Sequence, residues 1–166
     1  KKLLSYFESA TERYGAMIHV YCLMSNHYHL LLETPYGNLS QIMRHINGAY
    51  TTYFNKKYQR SGHLLQGRYK SIIVDKEEYA TQLSRYIHFN PMRAGIVHNL
   101  NEYTWSSYIS YTGMGRKQKW LFFDFILSFF GKDINLAQKR YHQFVDDLIG
   151  QPHENPLKKA VASTIL

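Results

Sequence analysis

Apolar residues recur at helical spacing in three stretches of the chain. The opening "KKLLSYFESATERYG" is amphipathic and predicts a helix at about 1 to 14, which Gly15 closes. A second helix is predicted at about 39 to 59 from apolar positions that share one face: Leu39, Ile42, Met43, Ile46, Tyr50, Tyr53 and Phe54. A third begins after Asp75, its predicted N-cap, and its stripe is formed by Tyr79, Leu83, Tyr86, Ile87 and Asn90. Pro91 is predicted to stop this third helix, because the residue before a proline is driven out of the α region.

Between these helices lie apolar runs of strand length. Runs at about 16 to 24 and 27 to 34, separated by Ser25 and Asn26, predict a β-hairpin, and "GRYKSIIV" at 67 to 74 predicts a third strand. From about 103 onward the pattern is helical, with "WLFFDFILSFF" at 120 to 130 as a buried helix and "GQPHENP" at 150 to 156 as a linker or tail. This α+β order is one strand short of a four-stranded sheet, so we expect a first strand upstream of Lys1.

Length and cysteine content narrow the class of protein. At 166 residues the chain has the size of one domain, or of one domain with an appendage. Its single cysteine, Cys22, excludes an internal disulfide and a cysteine-rich zinc site, and predicts a small core residue of a cytosolic protein. The longest apolar run is interrupted by Asp124 and is too short to cross a bilayer, and the start shows no signal-peptide pattern.

The positive charge is concentrated in one block. The formal net charge is +8, from 20 basic and 12 acidic residues. No Asp or Glu occurs between Glu33 and Asp75, where the basic residues are Arg44, Lys56, Lys57, Arg60, Arg68 and Lys70. Tyrosines and a phenylalanine are interleaved with them, which is the pairing of phosphate neutralisers and stacking surfaces that single-stranded nucleic acid favours. The alternative is a solvated basic face over an aromatic core.

Two histidines interrupt the second apolar run, "LMSNHYHLLLETP". On a strand His27 and His29 project from the same face, while Tyr28, Leu30 and Leu32 point to the other, which we expect to pack on helices. Two neutral imidazoles side by side suit a divalent metal. With nine histidines in the chain, random placement gives roughly 0.5 His-x-His pairs. Hydrogen-bonded structural histidines therefore remain an alternative.

The third predicted helix carries a second candidate group. Tyr86 and Asn90 are four residues apart and share a face. Tyr86 is a candidate nucleophile and Asn90 offers an amide oxygen to a hard cation, although both also lie in an apolar stripe where a packing role is the alternative. If His27, His29 and Asn90 held a metal beside Tyr86, the geometry would suit phosphodiester transesterification.

These two stretches resemble known motifs. "SNHYHLLL" resembles the HUH motif, with Tyr28 in the middle place usually held by a hydrophobic residue, and "RYIHFNPMRAGIV" resembles the catalytic-helix motif of the single-tyrosine HUH transposases. The chain is similar over about 3 to 110, including "GHLLQGRYKS", to the REP-associated tyrosine transposases, bacterial relatives of insertion-sequence transposases that act on single-stranded DNA hairpins.

The resemblance implies a set of expectations. They are an α+β, ferredoxin-like fold with an antiparallel sheet and helices on one face, metal ligands His27, His29 and Asn90 for Mg²⁺ or Mn²⁺, and Tyr86 as nucleophile. DNA contacts are expected from Arg93 and from the six residues of the basic block. The catalytic domain would span 1–110, a helical extension 111–150 and a tail 151–166. The protein would act in the bacterial cytoplasm at the nucleoid.

The implied partner is single-stranded DNA with hairpins and no membrane, and a homodimer stands as an open alternative to a monomer. Two other functions also remain open. One is a domesticated nucleic-acid-binding protein without turnover, and the other is a His-x-His metallo-phosphoesterase acting on a small substrate. The acid-free basic block favours a polymer substrate over a small one.

Overall fold

A computed structural model describes residues 1–74, 77–115 and 118–150. Its helices and strands are α1 (Lys2–Tyr14), β1 (Met17–Leu23), β2 (Tyr28–Glu33), α2 (Leu39–Lys57), α3 (Glu77–Arg93), a 3₁₀ turn (Leu100–Glu102), α4 (Tyr108–Tyr111), α5 (Asp124–Ser128) and α6 (Ile134–Asp146). The predicted class is confirmed: the fold is α+β, with a two-stranded antiparallel sheet and a helical C-terminal part. The chain divides into two compact units, one of Lys1–Met17 with Glu33–Ser71, the other of Ile18–Leu32 with the chain from Ile72 onward.

The first unit is built on the pairing of α1 with α2. Phe7 and Ala10 of α1, and Ile42 and Ile46 of α2, are fully buried, so the apolar stripes that predicted the two helices form this core. Gly15 ends α1 with a φ of 65°, the left-handed conformation expected of a glycine C-cap.

The second unit contains most of the β1–β2 hairpin and the remaining helices. Bridges extend the hairpin at two points, a parallel one from Ile18 to Leu121 and an antiparallel one from Cys22 to Ser106. Cys22 is buried, as predicted, and burial raises the pKa of its thiol to about 12.

A buried polar network lies at the centre of this second unit. The His88 ring on α3 is hydrogen-bonded through Nδ1 to Tyr141 Oη and through Nε2 to Ser107 Oγ, both at 2.7 Å. Ser107 Oγ also donates to Tyr21 O at 3.1 Å. The network therefore connects α3 to α6 and, through Ser107, to β1, which fixes the position of α3 in this unit.

The prediction of a third strand at 67 to 74 is wrong. This segment is not a strand, and Ile73 is 90% exposed. Instead the chain after α2 is held by side-chain contacts to that helix: Asn55 Nδ2 donates to Gly62 O at 2.8 Å, and Ser40 Oγ bonds Tyr69 Oη at 3.0 Å. β-branched residues favour a strand only where a neighbouring strand can pair with them, and none of the described strands does so here.

The prediction that Pro91 stops the third helix is also wrong. α3 continues through Pro91 to Arg93 and ends at Gly95, whose φ is 67°. The Gly95 N–H donates to Met92 O and the Ile96 N–H to Pro91 O, each at 2.9 Å, which is the hydrogen-bond pattern of a Schellman ending. Pro91 is tolerated because it lies in the last turn, and Asn90 Nδ2, 3.5 Å away, donates to the Ile87 carbonyl that the proline leaves without its backbone donor.

The run at 120 to 130 is helical only in α5. Before α5, the chain runs beside β1, where the Phe122 N–H donates to Ile18 O at 2.8 Å. The predicted Asp75 cap and the tail from residue 151 lie outside the described residues. Of the helices that are described, none combines the length and hydrophobicity needed to cross a bilayer.

Candidate functional site

The hairpin brings His27 and His29 together. His27 is exposed and immediately precedes β2, whereas His29 lies within β2 and is half-buried. Their ring centroids are 4.9 Å apart, with the planes at 89°. The side-by-side arrangement predicted from their spacing is therefore present.

Both imidazoles are suited to ligate a cation. Burial, with smaller contributions from His27 and Arg93, lowers the pKa of His29 from 6.5 to about 4, so its ring is neutral at pH 7. His27 Nδ1 donates to Asn26 Oδ1 at 2.7 Å, which leaves the lone pair of His27 on Nε2. Such a hydrogen bond from the second ring nitrogen is the usual way in which proteins orient a metal-binding histidine.

Tyr86 lies against this pair. Its ring centroid is 6.4 Å from that of His29 in an edge-to-face contact, and the tyrosine is 8% exposed. The Arg93 guanidinium, seven residues further along α3, lies 4.7 Å from the centroid of the Tyr86 ring. The site is therefore a cluster of three kinds of group: an imidazole pair, a phenol and a guanidinium.

Asn90 is buried one turn after Tyr86, on the same face of α3. Its amide nitrogen is used within the helix, toward Ile87 O, and its oxygen is the atom that a hard cation prefers. Among the described residues, no three His, Cys, Asp or Glu side chains lie together as a metal site. The predicted ligand set contains only two such residues, both histidines, and depends on Asn90 for the third ligand.

Both faces of β2 are partly covered. Tyr28, Leu30 and Leu32, which we expect to pack on helices, are half-buried, and on the histidine face Leu31 is 8% exposed. The contact of His29 with Tyr86 of α3 covers part of the histidine face.

The six cations of the basic block, all in the first unit, are exposed: Arg44, Lys56, Lys57, Arg60, Arg68 and Lys70. At the end of α2 they alternate with aromatic rings. Lys57 Nζ lies 5.8 Å from the Tyr53 ring and 5.2 Å from the Tyr58 ring, and Arg60 lies 5.8 Å from Phe54. A hydrogen bond with Tyr53 raises the pKa of Lys57, which stays charged. Charge and stacking surface therefore occur together on this helix end.

Sequence reasoning missed two features of the site. Arg93 was predicted to contact DNA, but its position over the Tyr86 ring is visible only once α3 continues past Pro91. His88, two residues after Tyr86, was not considered, although it holds α3 through two buried hydrogen bonds. The sequence signal for His88 was its spacing of two residues from Tyr86, which places it on the opposite face of α3.

Comparison with known protein families gives one match. The family model described as "Transposase IS200 like" matches residues 1–90, more than half of the 166-residue chain, and covers the histidine pair, Tyr86 and Asn90. No curated protein and no solved structure matches the chain significantly. On this evidence the chain belongs to the IS200-like transposase family.

Proposed function

We propose that this transposase cleaves and rejoins single-stranded, hairpin-bearing DNA through a 5′-phosphotyrosine intermediate on Tyr86. His27, His29 and Asn90 would hold Mg²⁺ or Mn²⁺. Membership of the family supports DNA as the substrate. The observation that carries the proposal is the contact of His29 with Tyr86, since it joins the imidazole pair to a tyrosine 57 positions later in the chain.

The residues of the chain have distinct roles in this reaction. Tyr86 Oη attacks phosphorus, the bond between phosphorus and the 3′ oxygen breaks, and the phenolic proton is balanced by the proton that the 3′-OH gains. Arg93, whose guanidinium lies over the Tyr86 ring, would donate hydrogen bonds to a phosphate oxygen. A bound divalent ion supplies Lewis-acid polarisation of the scissile phosphate. Because the ester on Tyr86 conserves the energy of the broken bond, a DNA 3′-OH can reverse the step without ATP.

Replacement of Tyr86 tests the nucleophile. Tyr86→Phe should abolish the covalent adduct while Mn²⁺ and DNA binding persist, because only one hydroxyl is lost. Tyr79→Phe is the matched control, since it makes the same change two turns earlier on the same helix face. The measurement is denaturing electrophoresis of the protein with labelled hairpin DNA and Mn²⁺, followed by mapping of the modified peptide. Strand cleavage by the Tyr86→Phe protein, or an adduct on another of the 15 tyrosines, would refute the proposal.

Metal binding is tested separately by calorimetric titration with Mn²⁺. His27→Ala and His29→Ala should each weaken Mn²⁺ binding by at least about tenfold, because each removes one ligand. The exposed His63 provides the control, and His63→Ala should bind as the wild type does. Unaltered affinity in both His27→Ala and His29→Ala would assign the histidines to a structural role instead.

A further inference from the structure

An open pocket of about 560 Å³ lies in the first unit, where the end of α1 meets the start of α2. It falls within the range of about 300–1,000 Å³ typical of small-ligand sites. Its lining includes Arg13, Gly15, Tyr36, Asn38 and Gln41. None of these residues belongs to the candidate active site or to the basic block.

Tyr36 presents a positioned aromatic ring to this pocket. The ring is 77% exposed, but its Cδ2–Cε2 edge lies directly against Gly15. A Cβ at Gly15 would stand 2.5 Å from Tyr36 Cε2, so only glycine permits this approach. An exposed ring that lies against the backbone at Gly15 with its faces open is suited to stack on a planar ligand.

Asn38 supplies an unused hydrogen-bond acceptor. It is the N-cap residue of α2, yet its side chain makes no capping hydrogen bond. Instead Nδ2 donates to Tyr14 O at 2.9 Å, and the buried Oδ1 has no partner among the described residues. A buried acceptor without a donor is unfavourable, and a ligand that brings an N–H into the pocket would remove that cost.

The polar groups that line the pocket indicate the class of ligand. Glu12 and Asn38 both offer acceptor oxygens, which favours a ligand edge with amino donors over a bare anion. Arg13 offers a guanidinium that can neutralise a phosphate. A planar group with amino donors joined to a phosphate describes a nucleotide.

We propose that this pocket binds one unpaired, amino-bearing nucleobase of the DNA substrate, stacked on Tyr36 and donating to Asn38 Oδ1, with its phosphate near Arg13. The inference rests on the proposed function in taking single-stranded DNA as the ligand. It adds a place where the protein contacts a base and not only the backbone, which is the kind of contact that carries sequence preference.

The test is equilibrium binding by fluorescence anisotropy in EDTA, with ten-nucleotide probes dC₁₀, dT₁₀ and a fully abasic strand of equal charge. Tyr36→Ala should weaken binding of dC₁₀ by about 5- to 150-fold and leave the abasic strand unchanged, because only the former stacks. Tyr36→Phe should bind as the wild type does. Met114→Ala, which removes a 64% exposed side chain of the second unit, is the control for surface truncation and should also leave binding unchanged.

The wild type should prefer dC₁₀, whose base has an exocyclic amine, to dT₁₀, and Asn38→Ala should lose that preference. Equal weakening of dC₁₀ and the abasic strand by Tyr36→Ala, or no weakening, would overturn the proposal. A dC₁₀ preference that survives in Asn38→Ala would overturn the role of Asn38. No cleavage occurs in EDTA, so these results are independent of the adduct on Tyr86. A wild type that forms the adduct but binds dC₁₀ no better than dT₁₀ would refute the pocket alone. A wild type that prefers dC₁₀ but forms no adduct on Tyr86 would refute the nucleophile alone.

Discussion

Two histidines of the second unit are held neutral by burial, but in different surroundings. His29 lies at the candidate active site, next to the exposed His27 and to Tyr86. His88 is fully buried on the other side of α3, where both ring nitrogens are hydrogen-bonded to hydroxyl groups. These surroundings fit the metal-binding role proposed for His29, whereas His88 holds the helix in position.

His88 makes the stability of the protein depend on pH. Burial lowers its pKa from 6.5 to about 3, so between these values the unfolded state binds a proton that the folded state does not. Stability is therefore full above pH 6.5 and falls as the pH falls: about 2 kcal/mol of unfolding free energy should be lost by pH 5. Urea unfolding in EDTA at pH 7 and pH 5 measures this loss. His88→Gln should reduce the difference between the two pH values, whereas His63→Gln, at an exposed position, should leave it unchanged.

The backbone conformation of a glycine differs between the end of a helix and its interior. Gly95 ends α3 with φ at 67°, whereas Gly48 lies inside α2, and a Cβ added to either would meet no atom within 4 Å. Gly95→Ala should destabilise the protein by about 1 kcal/mol through backbone strain, and Gly48→Ala should stabilise it by about 0.5–1 kcal/mol. Urea midpoints of the two variants give the comparison. A stable Gly95→Ala protein would show that α3 does not need this ending.

Sequence periodicity predicted α1 and α2 closely because each helix has one apolar face and packs that face against the other. It failed at Ile73 and Pro91, where the outcome depends on contacts distant in sequence or on the side chain of a neighbour. The side-by-side arrangement of the two histidines follows from their spacing on a strand, which places alternate residues on one face. The proximity of Tyr86 to this pair was implied only by the family resemblance, since no local pattern shows which helix covers which face of a hairpin.

Positive charge is unevenly distributed over the molecule, and we expect this to affect the binding of DNA. Lys56→Glu, Lys57→Glu and Arg60→Glu together should weaken binding of single-stranded DNA and reduce the slope of log K against log salt by about 2, because three phosphate contacts are lost. The control makes the same change in net charge at exposed lysines of the second unit: Lys119→Glu, Lys132→Glu and Lys139→Glu. Affinity measured from about 50 to 300 mM salt compares the two proteins. Equal losses in both would show a response to net charge and not to a defined surface.

The continuation of α3 through Pro91 makes one rigid rod of the segment that carries Tyr86, Asn90 and Arg93. Asn90 follows Tyr86 by four residues and Arg93 follows Asn90 by three. These spacings fix where the side chains lie relative to one another, since each added residue turns the helix by about 100° and lengthens it by about 1.5 Å. A substitution within this stretch alters one side chain at a time. A single-residue insertion between Tyr86 and Asn90 would swing the amide and the guanidinium away from the phenol together. Substitutions here therefore disturb the site one group at a time, whereas a change in the length of the helix disturbs all of it at once.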